Sequence, residues 1–125
     1  MIKTGISLTF DAAHSLPEYE GKCRNIHGHT YRVDIVVEGD IDPDTRFVID
    51  FADLKALLRE VVEELDHRYI NEIIDYPTAE YIALYIRDEM VKRLDKHLRI
   101  VSLRLYEGED KWVEVEDKNN RREWK

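Results

Sequence analysis

Apolar and polar residues alternate at the start of the chain. Ile2, Thr4, Ile6, Leu8 and Phe10 share one side of an extended segment, and Lys3, Gly5, Ser7 and Thr9 the other. That period predicts a half-buried strand. If it continues past Phe10, Ala12 and His14 join the core-facing side, whereas a bulge would shift the register by one. Leu16 to Lys22, with Pro17 and Gly21, reads as a loop. A second strand follows Cys23-Arg24-Asn25-Ile26-His27-Gly28-His29 and runs to about Glu38, with Tyr31, Val33, Ile35 and Val37 on its apolar side. In this register His27 and His29 share the face of Tyr31 and Val33. Gly39 to Asp44 makes a polar turn.

The period then changes. Asp50 is placed to cap a first helix, whose buried face is expected to hold Phe51, Leu54, Leu57, Leu58, Val61, Val62 and Leu65. It should end near Asp66-His67. Pro77-Thr78 starts a second helix, with Thr78 as cap, Glu80 in the first turn and Ile82, Ala83, Ile86, Met90, Val91 and Leu94 on its apolar side. Period two returns over residues 99–107. Val101, Leu103 and Leu105 fall on one face, with Glu107 next in line, and Ile100, Ser102, Arg104 and Tyr106 on the other. A turn at Glu109 to Lys111 leads into a short strand, Trp112 to Glu116.

The order β-β-α-α-β-β predicts an α+β fold, an antiparallel four-stranded sheet with two helices on one face. Residues 1–117 are expected to form a single domain and 118–125 a polar tail that frays. The 125 residues suffice for a core without staples. A net charge of −8 argues against a general nucleic-acid or anionic-membrane binder. One cysteine cannot form an internal disulfide. No apolar run approaches membrane-spanning length, and the first residues lack the core of a signal peptide. A cytoplasmic location is the expectation.

Candidate chemistry collects around the seven residues from Cys23 to His29. Two imidazoles on one face of a strand can close on one metal ion. His14, at the end of a strand that can pair with theirs, supplies a third. Three neutral imidazoles with an open fourth position are the arrangement of catalytic zinc. Cys23 is then either the fourth ligand of a closed structural site or, off the metal, a thiolate base or nucleophile. Asp66 beside His67 can fix a tautomer in a proton relay, or His67 can simply face the helix dipole. Glu107, at the end of a buried strand face, needs paired oxygens. Either protein donors or a ligand with two adjacent N–H groups, such as the amino-pyrimidinone edge of a pterin or guanine, would satisfy it.

Five ordered motifs resemble one family. Phe10-Asp11-Ala12-Ala13-His14, Cys23-x-x-x-His27-Gly28-His29, Val48-Ile49-Asp50-Phe51-Ala52-Asp53-Leu54-Lys55, Leu65-Asp66-His67-Arg68-Tyr69-Ile70-Asn71 and Pro77-Thr78-Ala79-Glu80 are similar to those of the 6-pyruvoyl-tetrahydropterin synthase family, from about residue 5 to 116. The gap between Cys23 and His27 resembles its 6-carboxy-tetrahydropterin synthase branch, which serves queuosine synthesis. The resemblance implies a tunnelling fold whose subunits close a barrel, commonly a hexamer of two trimers with active sites between subunits. It also implies Zn2+ on His14, His27 and His29, Cys23 as catalytic thiol with Asp66 and His67 as relay, and Glu107 anchoring a pterin ring with help from Thr78. The implied reaction converts 7,8-dihydroneopterin triphosphate to 6-carboxy-5,6,7,8-tetrahydropterin. A pyruvoyl-forming synthase and a dihydroneopterin aldolase-like enzyme are the enzymatic alternatives. The alternative of another class is a binding-only domain with a structural zinc held by one cysteine and three histidines. Two positions depart from the pattern: Gly108 follows Glu107 where threonine is frequent, and Ala79 stands where some members have a second threonine.

Overall fold

A computed structural model describes residues 1–116; the expected tail, 118–125, and the domain limit at 117 lie outside the described residues. The strands are β1 (Ile2–His14), β2 (His27–Gly39), β3 (Arg99–Glu107) and β4 (Trp112–Glu116), and the helices α1 (Phe51–Val62) and α2 (Ala79–Arg93). The sheet order is β1-β2-β3-β4, antiparallel throughout. Both helices pack on one face, as the alternation requires.

The first strand runs unbroken through His14, and every second residue from Leu8 onwards is buried. Its partner register, Phe10 opposite Tyr31, Ala12 opposite His29 and His14 opposite His27, has no shift. Tyr31, Val33, Ile35 and Val37 of β2 join Leu54, Leu58 and Val61 of α1 and Ile82, Ile86 and Met90 of α2 in one core.

Both predicted caps form. Asp50 accepts from Ala52 N–H at 2.8 Å, and Thr78 accepts from Tyr81 N–H at 3.3 Å, each satisfying a donor that the first helical turn cannot. Two expectations are corrected. Phe51 is 61 % exposed. It is the first residue of α1, so its side chain points back past the helix end, beyond the sheet that covers Leu54 and Leu58. Ile100, assigned by strict alternation to the face opposite Leu103, is buried beside it in the core. The pairing jumps from Val36–Ser102 to Val37–Ile100, so Val101 is the extra residue of a bulge that inverts the faces on either side of it.

Candidate metal centre and active site

The strand register brings three histidines to one end of the sheet, where their rings lie 4.6, 4.8 and 5.1 Å apart between centroids. One ligand atom from each of His14, His27 and His29 falls within 4.8 Å of the others. His14 Nδ1 is 2.8 Å from the Pro77 carbonyl oxygen, and His27 Nδ1 2.7 Å from that of Asn25. A carbonyl only accepts, so both Nδ1 atoms carry the proton and both Nε2 atoms keep a free lone pair. The Nε2 atoms of all three histidines are buried without a hydrogen bond. Buried nitrogens are rarely left so, and a metal ion satisfies all three at once. The residues therefore fit a metal. Burial holds His29 below the ordinary imidazole pKa, against the opposing pull of Glu107, which favours the neutral ligand form.

Cys23 is not a member of this cluster. It lies half-buried in a short 3-10 turn, Lys22–Arg24, whose carbonyl at Cys23 accepts from Leu16 N–H at 2.8 Å. The ligand atoms that converge are three imidazoles, with the thiol outside them. The catalytic arrangement requires that separation, and the closed site of one cysteine and three histidines does not.

Asp66 and His67 sit just past α1, on a segment stitched to the end of β1. Ala13 N–H donates to Arg68 O at 3.0 Å, and His67 N–H to Asp11 O at 2.6 Å. Asn71 grips Ser15 through both backbone groups, at 3.0 and 2.9 Å. His67 takes φ of 58°, a left-handed conformation uncommon for a residue with a side chain, held by these bonds. Its Nδ1 is 3.0 Å from Asp66 Oδ1. Asp66 also accepts from Asp11 N–H at 3.0 Å, and that backbone donor holds its carboxyl below the usual range. His67 is 78 % exposed and faces a cleft of about 610 Å³ that His29, Thr30 and Arg68 also line.

Glu107 ends β3 directly across from Tyr31. Its Oε1 lies 3.3 Å from His29 Nε2. With Thr78 and Lys111 it lines a second cleft of about 260 Å³. Gly108 turns the chain there at φ of +76°, where a threonine would be strained, so the departure from threonine suits this turn. The structure thus joins His14, His27, His29 and Glu107 in one contact group, Glu107 and Thr78 in one cleft, and Asp66 with His67; Cys23 lines neither cleft. Sequence reasoning missed Asp11, whose backbone alone does the holding, and the carbonyls of Pro77 and Asn25, since any residue can supply a carbonyl.

An antiparallel sheet backed by two helices, with three histidine nitrogens converging at one end, defines a small α+β fold built around a cluster able to hold a metal ion. The family profile described as 6-pyruvoyl tetrahydropterin synthase matches residues 5–118, and the chain belongs to that family. It is 41 % identical over 111 residues to a putative 6-carboxy-5,6,7,8-tetrahydropterin synthase of Archaeoglobus fulgidus, covering 89 % of this chain and 92 % of that protein. It is 43 % identical over 108 residues to a dihydroneopterin monophosphate aldolase of Pyrococcus furiosus, covering 86 % and 91 %. The solved 6-pyruvoyl tetrahydropterin synthase of Caenorhabditis elegans shares the fold, with a TM-score of 0.81 at 24 % identity over 94 % of this chain and 96 % of that one.

Proposed function

We propose that the protein is a zinc-dependent lyase converting 7,8-dihydroneopterin triphosphate and water to 6-carboxy-5,6,7,8-tetrahydropterin, acetaldehyde and triphosphate. The observation that carries this reading is the set of three converging, buried Nε2 atoms without a hydrogen bond, in a chain similar over most of its length to a putative 6-carboxy-5,6,7,8-tetrahydropterin synthase. His14, His27 and His29 hold Zn2+, which when bound acidifies hydroxyls of the substrate side chain. Glu107 accepts the paired N–H groups of the pterin edge, and Thr78 assists from the start of α2. Cys23 takes a proton from a side-chain carbon beside the ring, and His67, oriented by Asp66, returns one as triphosphate leaves.

In a single chain His67 is open to solvent and Cys23 lines neither cleft. A site closed by a second copy, in a hexamer of two trimers, brings thiol and relay together and covers the edges that β1 and β4 leave unpaired. On this reading the protein is cytoplasmic and serves 7-deazaguanine synthesis leading to queuosine.

One observation favours a second reading, a retro-aldol cleavage of dihydroneopterin monophosphate: the identity to the Pyrococcus furiosus aldolase is as high as to the synthase. The test supplies the zinc-loaded protein with the triphosphate and the monophosphate separately. Carboxypterin and acetaldehyde from the triphosphate are expected. A hydroxymethylpterin from the monophosphate, with the triphosphate untouched, would establish the aldolase instead.

A further inference from the structure

Tyr31 is fully buried beside the histidines and has no part in the chemistry above. It stacks on Phe10 at 5.1 Å between centroids and meets His14 and His29 edge-on at 6.0 and 5.6 Å. Its hydroxyl has no hydrogen-bond partner. Phenylalanine would avoid the cost of burying that hydroxyl unpaired, so the O–H calls for an acceptor that the bare chain does not present.

A carboxylate acceptor stands directly across the sheet. Tyr31 and Glu107 are register partners, so their side chains leave the same face with Cβ atoms about 4.5–5.5 Å apart. In the bare chain Glu107 leans on His29 Nε2, an atom that a bound metal would occupy. Lys111, the cation on the Glu107 cleft, is paired with Asp110 at 3.1 Å. Tyr31 is a buried donor on the carboxylate's own side of the sheet.

We propose that Tyr31 is a positioning residue for Glu107: in the metal-loaded protein its O–H donates to the Glu107 carboxylate and holds it toward the cleft shared with Thr78. The inference rests on the reading of Glu107 as ring anchor. It requires that the hydroxyl affect ring binding only through Glu107.

The test is a double-mutant cycle on pterin binding, followed by fluorescence with zinc-loaded wild type, Y31F, E107Q and the double variant, alongside zinc content and thermal unfolding. Y31F is expected to keep stoichiometric zinc and to unfold no lower than wild type. Its pterin Kd should rise about 5–10-fold, the size of one hydrogen bond, and change less than about twofold when Glu107 is already Gln. An unchanged Kd in Y31F, or an equal rise in both backgrounds, overturns the proposal. Wild-type affinity in E107Q would instead remove the ring-anchor reading itself. Should Y31F fail to fold, E107D keeps the charge and leaves the core intact while drawing the carboxylate back by one methylene. It is expected to lose a similar factor, and wild-type affinity in E107D would overturn the proposal.

Discussion

His14 and His27 each spend Nδ1 on a backbone carbonyl, so the metal-facing tautomer is set before any ion arrives. Removing one ligand of three should therefore empty the site: H27A is expected to lose both metal and turnover. C23A, which touches no ligand, should keep stoichiometric zinc and lose turnover, and metal analysis beside an activity assay separates the two. Loss of zinc in C23A would restore the closed site in which the thiol is the fourth ligand. Asp66 gives a pH prediction. Its folded pKa lies below its unfolded one because Asp11 N–H favours the charged form. The stability it adds is thus full above the ordinary carboxylate range and lost as pH falls through the folded value. The gap in thermal unfolding between wild type and D66N should be constant near neutrality and close on acidification; a gap independent of pH would contradict the assignment. The three histidines were legible because a strand of period two aligns them. Their carbonyl partners were not, since an acceptor on the main chain carries no side-chain signal.

The long strands β1 and β2 followed their alternation because each buries one face over a continuous stretch, Leu8 to His14 in β1 and Tyr31 to Gly39 in β2. Strand β3 broke the rule at Val101, where pairing with β2, a property of two strands together, inserts a bulge. Phe51 shows the same limit for helices: spacing gives the face, and the end of the neighbouring layer decides how much of it is covered. The core below the site is continuous, and Leu103, fully buried between β2 and the helices, should cost about 2–5 kcal/mol as Leu103→Ala. Chemical denaturation checks this, and a change under about 1 kcal/mol would mean that the sheet and helices are not packed as described. Asn71 does a different job, clamping the relay segment to Ser15. N71A should lower turnover more than zinc content.

At the scale of the molecule, one sheet edge is a 13-residue strand and the other a 5-residue one. The Asp66–His67 pair is open to solvent, while His14 is buried and His27 and His29 are half-buried. Those observations agree if copies join edge to edge and one copy closes the site of the next. Light scattering on the eluting protein should give about six subunits; a stable monomer that turns over substrate would contradict the shared site. The fold class and the meeting of three histidines at one end of the sheet could be read from the chain because they follow from local periods and spacing. Whether a second chain completes the site could not, because that depends on surfaces whose partner the sequence names only by resemblance. The central claim is that three histidines, with a thiol held off the metal, drive cleavage of a pterin side chain. It is tested most directly by incubating the zinc-loaded protein with 7,8-dihydroneopterin triphosphate and identifying products by mass spectrometry. The account predicts 6-carboxy-5,6,7,8-tetrahydropterin with acetaldehyde, and no product from C23A; an unchanged substrate with zinc fully bound would contradict it.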